Sequence, residues 1–166
     1  MSMDAIVLLK EDHKAVRKLF RDFEAAGEGA AATKNRLVKE ILEALTVHTY
    51  IENEVMYPRV RELVPDVDAD VLESYEEHHV ADVLCSELAM MSPQDERFDA
   101  KTTVLIESVS HHMEEEEKEW FPKVRAALGR KELQEIGAAL LEAKEKAPRT
   151  PAHPRALKKA VDALFA

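Results

Sequence analysis

The stretch HMEEEEKEWFP, residues 112–122, repeats the pattern of HTYIENEVMYP, residues 48–58. In both copies a glutamate follows the first histidine by four positions, an aromatic residue follows by nine and a proline by ten. Residues four apart lie on one face of a helix, so each histidine and its glutamate can point at a common neighbour. The repeat therefore predicts two equivalent helices, each with a His–Glu pair on its inner face.

A second repeat lies upstream of each copy of the first. The stretch DHKAVRKLF, starting at Asp12, matches EHHVADVLC, starting at Glu77. In each case a histidine follows an acidic residue and begins an apolar run with helical spacing. The chain is therefore predicted to contain two copies of a helical hairpin.

The composition agrees with an all-α protein of one main domain. The chain has 166 residues, 46% of them apolar and 34% charged, with only four glycines. Turn-forming clusters separate four long segments, and a fifth helix is predicted at about 131–146. These clusters lie at 26–33, 62–70, 91–99 and 129–132. Each long segment has apolar residues three or four positions apart, and each includes one histidine in this apolar stripe.

Charge and targeting signals exclude several classes of protein. The net charge is −10, with 33 acidic against 23 basic residues, which argues against binding to nucleic acids or to anionic membranes. The single cysteine, Cys85, excludes an intramolecular disulfide. The apolar run from Ala5 to Leu9 is too short for a signal peptide, and no segment approaches the roughly 20 residues of a membrane span. A cytoplasmic location is predicted.

Six polar side chains are expected on the inner faces of the four long helices. They are His13, His48, Glu52, His78, His112 and Glu116. One such residue is usually a satisfied core residue, but six buried together would be costly unless a metal satisfied them. Helical bundles build metal sites in this way. Imidazole and carboxylate without a thiolate cluster favour iron, and also suit zinc or manganese. Six ligands exceed one tetrahedral zinc and suit two ions, which Glu52 and Glu116 could bridge.

Neighbouring residues are given other roles. His79 falls on a poorer stripe beside Asp82 and is expected to flank the site. The solvated face is predicted to hold one further histidine and three acids: His111, Glu114, Glu115 and Glu117. Cys85 is expected to be a small core residue, and His153 a tail residue. Tyr75 either donates a hydrogen bond near the site or is a core aromatic.

The aromatic pair and proline that close the second copy look structural. Trp120 and Phe121 are expected to close the apolar layer, and Pro122 to end or kink the helix.

Taken together, the motifs resemble a hemerythrin-type HHE cation-binding domain. The matching elements are Asp12-His13, His48 to Glu52 followed by Tyr57-Pro58, Glu77-His78, and His112 to Glu116 followed by Phe121-Pro122. The resemblance covers residue 1 to about 126 and implies an up-down-up-down four-helix bundle. On this basis residues 1–128 form the HHE domain, and residues 129–166 form a C-terminal helical extension with a Pro-rich hinge at 147–154.

The same resemblance implies a non-haem di-iron centre. The four histidines His13, His48, His78 and His112 would be terminal ligands, and Glu52 and Glu116 would bridge the two iron ions. An oxo or hydroxo group would complete the pair. An open position would take a small ligand: O2, hydrogen peroxide or nitric oxide.

The sequence departs from the oxygen-carrying hemerythrins, which have a second histidine one turn from the first on the third helix. The positions four away from His78 are Ser74 and Asp82. The carriers also have an aspartate where this chain has Glu117. We therefore expect fewer imidazoles and a more open site, which favours reaction with peroxide over oxygen carriage. In this the chain is similar to actinobacterial hemerythrin-like proteins, some of which are associated with peroxide decomposition.

Two other roles remain open from the sequence. The iron pair could act as a redox, O2 or NO sensor that changes how the C-terminal helices meet a partner, as the Pro-rich hinge and the amphipathic end ALKKAVDALF suggest. Nitric-oxide or iron handling is known in other branches of the family. Those branches commonly carry an N-terminal extension with cysteines, which residues 1–10 lack.

Overall fold

The fold is all-α, and the computed structural model describes residues 3–152. Seven α-helices occur in this range: α1 (Ala5–Ala25), α2 (Ala31–Ile51), α3 (Tyr57–Leu63), α4 (Asp68–Ala89), α5 (Phe98–Glu115), α6 (Phe121–Ala127) and α7 (Arg130–Lys146). A short 3₁₀ turn, Pro65–Val67, precedes α4. The predicted last helix, ALKKAVDALF, and His153 lie outside the described residues.

Two pairs of these helices are continuous rods joined by a π turn. Glu52–Met56 joins α2 to α3, and Glu116–Trp120 joins α5 to α6. In each turn a backbone N–H donates to the carbonyl oxygen five residues earlier, from Tyr57 to Glu52 and from Phe121 to Glu116. The four rods, α1, α2–α3, α4 and α5–α6, form the predicted up-down-up-down bundle. Both copies of the sequence repeat thus produce the same backbone feature.

Pro122 was expected to end or kink its helix, and the structure shows that it does not end it. The rod continues through α6 to Ala127. A proline inside a regular α-helix removes one hydrogen bond, and its ring clashes with the carbonyl four residues earlier. The π turn immediately before Pro122, and the matching one before Pro58, changes the local hydrogen-bond pattern at the point where the proline enters. The helix is therefore distorted but not terminated.

The buried apolar residues form two clusters, one at each end of the bundle. The first cluster includes Ile6, Leu9, Val60, Trp120 and Phe121. The second includes Phe20, Ile41, Leu45, Leu105 and Ile106. Along α1, His13 falls between Leu9 of the first cluster and Val16 of the second. The polar residues expected on the inner faces therefore lie in a layer between two apolar regions.

Helix α7 packs onto the bundle and shares its core. Its Leu133, Ile136 and Leu140 lie in the same cluster as Ile6 and Leu9. The fifth helix predicted at 131–146 is thus present at Arg130–Lys146. The domain boundary at 128/129 stays a prediction. Within residues 3–152, no helix combines the length and the apolar character that a bilayer span requires.

Gly137 is required for the close approach of α7 to the start of α1. A Cβ atom at this position would lie 2.2 Å from the backbone oxygen of Met3 and 3.1 Å from the backbone nitrogen of Ala5. Alanine is normally a better helix former than glycine by about 1 kcal/mol. Here the clash with backbone dominates, so Gly137→Ala is expected to destabilise the protein by about 1–3 kcal/mol, measured by urea unfolding.

Gly27→Ala is the matched control, because nothing lies within 4 Å of a Cβ atom at Gly27. This variant should leave the unfolding midpoint nearly unchanged. Equal midpoints for the two variants would contradict the close packing of α7.

Candidate metal centre

All six residues predicted to face inward meet in one buried layer. His13, His48, Glu52, His78, His112 and Glu116 are each exposed by 5% or less. Each long rod of the bundle contributes to the layer, and the two rods with the sequence repeat contribute a histidine and a glutamate each. Their role as metal ligands remains a prediction, but the structure brings every one of them together.

Four of these side chains form a first group. His13, His48, Glu52 and Glu116 each offer one donor atom, and these atoms lie within 4.8 Å of one another. The Nε2 atoms of His13 and His48 are 3.2 Å apart. His48 Nε2 is 2.7 Å from Glu52 Oε1, and His13 Nε2 is 3.4 Å from Glu116 Oε1. Two imidazole nitrogens and two carboxylate oxygens therefore surround one point.

A second group uses the other oxygen of the same glutamate. Glu52 Oε2 is 3.1 Å from His78 Nε2, and the Nε2 atoms of His78 and His112 are 3.0 Å apart. Glu116 Oε1 lies 3.1 Å from His112 Nε2, in addition to its approach to His13. Glu52 thus directs one carboxylate oxygen into each group, and Glu116 reaches a histidine of each. Glu52 spans the two groups with separate oxygens, whereas Glu116 approaches both with the single atom Oε1.

Tyr57 lies at the centre of the second group, and sequence reasoning missed it. Its hydroxyl oxygen is 2.7 Å from Glu52 Oε2 and 3.0 Å from Glu116 Oε2. The same oxygen is 3.0 Å from His78 Nε2 and 3.3 Å from His112 Nε2. The hydroxyl has one proton and can donate it to only one carboxylate at a time. Tyr57 thus places one further oxygen atom within 3.3 Å of both histidine nitrogens of this group.

The sequence repeat marks the position of Tyr57 but does not show that its side chain points into the site. The repeat aligns Tyr57 with Phe121, so only the first copy carries a hydroxyl. In a regular α-helix a residue five positions after Glu52 points to a different face. The π turn has more residues per turn, which returns Tyr57 to the face of Glu52. The ring also packs edge-to-face against Trp120, with centroids 5.7 Å apart.

The acids before His13 and His78 in the sequence each serve a histidine on the neighbouring rod. His48 Nδ1 lies 3.2 Å from Asp12 Oδ2, and His112 Nδ1 lies 3.1 Å from Glu77 Oε1. A ring N–H that donates to a carboxylate fixes the tautomer and leaves Nε2 free for a metal. In the Asp-His and Glu-His motifs, the acidic residue therefore orients a histidine of the neighbouring helix and not the histidine that follows it in the sequence.

The remaining two histidines have different outer partners. His78 Nδ1 lies 2.7 Å from Asn53 Oδ1, the side-chain oxygen of an amide. His13 Nδ1 lies 3.5 Å from Glu117 Oε1, which is a charge contact without hydrogen-bond geometry. Glu117 also forms an ion pair with Arg17 and is only 21% exposed. The expectation that Glu117 lies on the solvated face is therefore wrong, because it is drawn inward by these two cationic partners.

The other flanking residues largely occupy the predicted places. His111 is exposed and pairs with Glu115 at 2.9 Å, and Glu114 is exposed. Cys85 is buried in the second apolar cluster. His79 is half-buried and does not join either inner group.

Both alternatives for Tyr75 hold in part. Its ring packs edge-to-face on Tyr57, with centroids 5.1 Å apart, and its hydroxyl donates to the backbone oxygen of Asn53 at 3.5 Å. Tyr75 is therefore a partly buried aromatic that also contacts the edge of the site.

The pKa values in the layer are set by carboxylates and imidazoles that lie close together and are shielded from water. Burial would raise the pKa of Glu52, but the surrounding histidines, His48 first, hold it well below its usual range. Burial would lower the pKa of His48, yet Glu52 and Asp12 outweigh it and raise that pKa to about 8. The pKa values of His13 and His112 are also raised, because the carboxylates around them outweigh burial. Protons on His13, His48 and His112 thus balance the carboxylates when no metal does.

The donor set fits metal ions. Glu52 Oε1 and Glu116 Oε1 are buried and have no hydrogen-bond partner with acceptable geometry. Such orphaned acceptors are costly unless something else satisfies them. A metal ion with bonds of about 2.1 Å at right angles places neighbouring donor atoms about 3.0 Å apart. The separations of His78 Nε2 from His112 Nε2, 3.0 Å, and from Glu52 Oε2, 3.1 Å, match that spacing, and the remaining separation, His112 Nε2 to Glu52 Oε2, is 3.9 Å.

These pKa shifts predict that stability of the metal-free protein depends on pH. His48 has a pKa near 8 when folded and 6.5 ordinarily, so its stabilisation is complete below pH 6.5 and is lost as pH rises through 8. The shift corresponds to at most about 2 kcal/mol for His48. Urea midpoints in chelator should therefore fall between pH 6.5 and 9.

Metal affinity should change in the opposite direction over the same range. A metal competes with the histidine protons, so affinity for Co2+ should rise from pH 6.5 to 8. A chelated protein whose midpoint stays level or rises across this window would contradict the ion-paired layer.

Comparisons with known proteins agree with this geometry. A family profile described as Hemerythrin HHE cation binding domain matches residues 4–124. A curated protein named DNA nickase, from Nostoc sp. (strain PCC 7120), is 26% identical over 139 residues, which is 84% of this chain. The chain spans 38% of the length of that relative.

A solved structure is similar in fold. The crystal structure of a Hemerythrin HHE cation binding domain-containing protein from Mycobacterium kansasii superposes with a TM-score of 0.71 and 21% sequence identity. The match covers 87% of this chain and 86% of that one. With the family profile over most of the bundle and the buried His–Glu layer within it, the chain belongs to the hemerythrin HHE cation-binding domain family.

Proposed function

We propose that this protein holds two iron ions in the buried layer and reacts there with hydrogen peroxide or O2. The observation that carries the proposal is the position of Glu52, which offers one carboxylate oxygen to each of the two groups of donor atoms. A buried carboxylate whose two oxygens face two different groups of donor atoms is suited to bridge two ions. Peroxide decomposition, a catalase-like role in oxidative stress, is the favoured activity.

The ligands divide between the two ions by proximity. His13 and His48 would hold the first ion, and His78, His112 and Tyr57 would hold the second. Glu52 and Glu116 would be shared by both. The nitrogen and carboxylate oxygen donors suit iron, and a phenolate oxygen is a further hard donor that favours a trivalent ion.

When bound, iron supplies the redox chemistry and a Lewis acid that polarises an oxygen ligand. The protein chain shields the metal site from bulk water. A cavity of about 10 Å³, room for roughly one water-sized molecule, lies beside His48, His78 and His112. Its other walls are mainly apolar, including Leu45 and Val109. This cavity has no room for a bulky substrate, which restricts the proposed ligand to a very small molecule.

Tyr57 would control one proton at the site. Burial raises the pKa of its hydroxyl, and the charges of Glu116 and Glu52 raise it further, so the metal-free site keeps this proton. Binding of the second ion would release it. The position one turn before His78 is the buried Ser74, so the phenol of Tyr57 would serve this part of the centre, where the oxygen carriers use an additional histidine.

Tyr57→Phe tests that assignment. The variant removes one donor atom from the second group and leaves Glu52 Oε2 and Glu116 Oε2 without their shared donor. We expect loss of any visible phenolate-to-iron charge-transfer absorption and at least about tenfold weaker binding of the second ion, the cost that even an outer partner carries. Tyr50→Phe, at a partly buried tyrosine outside the site, is the control. An unchanged spectrum in the Tyr57 variant would rule out phenolate ligation.

The proposed function is tested by counting metal and then assaying turnover. Untagged protein, purified aerobically from cells supplied with iron, should contain about two irons per chain by elemental analysis. Oxygen evolution from hydrogen peroxide should then increase in proportion to bound iron. A chain without metal, or with one zinc despite iron supply, would overturn the di-iron proposal. If the protein bound its full complement of iron but released no oxygen from peroxide, the metal centre would be supported and the peroxide activity would be excluded.

A sensing role is the second candidate, and a contact of α7 favours it. Lys144 on α7 pairs with Asp12, which holds His48. A change of redox state or ligand at the centre could thus alter how the C-terminal region is held. Amide hydrogen exchange in α7 that is identical in reduced and oxidised protein would exclude this role.

Cleavage of DNA is not proposed for this chain. The relative named as a nickase is much longer than the match, and a net charge of −10 opposes binding to phosphates. Binding of nitric oxide and iron handling are the remaining family alternatives, and a cytoplasmic location stays a prediction.

A further inference from the structure

Helix α7 reaches the candidate metal centre through a three-residue chain of contacts. Lys144 Nζ donates to Asp12 Oδ1 at 2.8 Å. Asp12 Oδ2 accepts from His48 Nδ1 at 3.2 Å, and His48 Nε2 lies 2.7 Å from Glu52 Oε1. Only the carboxylate of Asp12 therefore separates a side chain of α7 from His48, a residue of the centre.

The position of Lys144, whose side chain is 38% exposed, follows from the packing of the preceding two turns of α7. Leu140, one turn earlier on α7, is fully buried in the core that Ile6 and Leu9 of α1 share. The close approach at Gly137 further sets the height of α7 against the chain around Met3. Lys144 also lies beyond residues 4–124, the part that matches the family profile. Its contact thus comes from outside the part of the chain that the family profile describes.

Asp12 is held by both of its oxygens, and that constrains the plane of its carboxylate. The side chain is 16% exposed, so solvent could satisfy Oδ1 if Lys144 were absent. The carboxylate would then be free to turn away from His48 Nδ1. Outer partners of this kind fix the orientation of a ligand imidazole and affect metal affinity. The lysine would act by holding the aspartate in place.

His13 has a similar arrangement, but the second group does not. Arg17 pairs with Glu117, which contacts His13 Nδ1. In the second group, His78 is held by an amide, and the partner of His112 is Glu77, for which residues 3–152 provide no lysine or arginine ion pair. Within residues 3–152, cation-held carboxylates thus support the two histidines of the first group and neither of the second.

We propose that Lys144 is a positioning residue for His48, through which α7 sets the metal affinity and ligand geometry of the first ion. The proposal rests on the metal centre of the proposed function. Because binding couplings are reciprocal, metal at His48 also strengthens the docking of α7 around Lys144.

The test is a titration of the full chain with Co2+, in which binding is monitored through the visible d–d absorption of the bound ion. Lys144→Met keeps the length of the side chain and removes its charge. It should weaken Co2+ binding by about three- to tenfold and change the d–d band, since an outer partner of the metal is loosened. Lys144→Arg, which can still bind Asp12, should restore both. Lys146→Met removes an equal charge from an exposed lysine that pairs with Glu142, and should behave like wild type.

Each result has a distinct meaning. Lys144→Met with wild-type affinity and an unchanged spectrum would overturn the positioning role, even if urea unfolding showed a loss of stability in chelator. A purely structural lysine lowers the unfolding midpoint but leaves the affinity of the folded protein unchanged. If wild-type protein itself bound neither Co2+ nor iron, the proposed function would fail instead. An effect of equal size in Lys146→Met would show that only overall charge matters.

Discussion

Replacing Glu52 with glutamine should remove more metal from this protein than any other single change of comparable size. Within residues 3–152, Glu52 is the one residue that directs a different carboxylate oxygen into each inner group of donor atoms. Glutamine keeps the size of the side chain but replaces one carboxylate oxygen with an NH2 group, which cannot bind a cation. Both ions would lose a ligand and the bridge between them. Metal content should fall from about two ions per chain to less than about one.

Single-group variants make the test more specific. His78→Ala removes a ligand from the second group only and should leave the first ion in place. Glu54→Ala, at an exposed residue two positions from Glu52, should retain the full metal content. Circular dichroism checks that each variant is folded. If Glu52→Gln kept as much metal as Glu54→Ala, Glu52 would not be a bridge.

Removal of metal from wild-type protein is the change with the next largest expected effect. Metal that binds only the folded state stabilises it by about 4 kcal/mol when its free concentration is a thousand times Kd. The six polar side chains are almost completely buried, so without metal the folded protein keeps them out of water with only one another as partners. The urea midpoint should therefore be far lower with chelator than with iron or Co2+ present.

A double variant separates metal binding from the cost of a polar core. His48→Leu with His112→Leu removes one histidine from each group. Replacing paired buried charges with apolar residues of similar size is often neutral or stabilising by about 1–4 kcal/mol, although the two remaining carboxylates would offset part of that gain. In chelator the urea midpoint of the variant should therefore be close to that of wild type or higher. Added metal should stabilise wild type and leave the variant unchanged. Equal midpoints for wild type with and without metal would indicate a polar core that binds none.

Much of the fold could be predicted because its signals are local. His48 and Glu52, like His112 and Glu116, are one helical turn apart, and this spacing alone places them on a common face. The apolar stripes then bring His13 and His78 to the same depth in neighbouring rods. Those two features were enough to predict six residues that the structure indeed brings together in one layer.

Other parts of the site depended on details that helical periodicity does not contain. Tyr57 enters the layer only because a π turn rotates it onto the face of Glu52. Glu117 was expected among solvated acids, yet it turns toward Arg17 and His13. In both cases one residue's direction is set by a local distortion or by a partner on another helix.

The sequence by itself determined the helical class, the two repeated hairpins and the identity of the inward-facing histidines and glutamates, since these follow from spacing within a single helix. Only the tertiary structure decided which outer residue serves which histidine. Asp12 precedes His13 but binds His48, and Lys144 reaches Asp12 from the far end of the chain. The physical reason is that such pairs depend on the relative height and rotation of packed helices. Those quantities are set by core contacts such as Leu140 against α1, and no regular spacing along the chain encodes them.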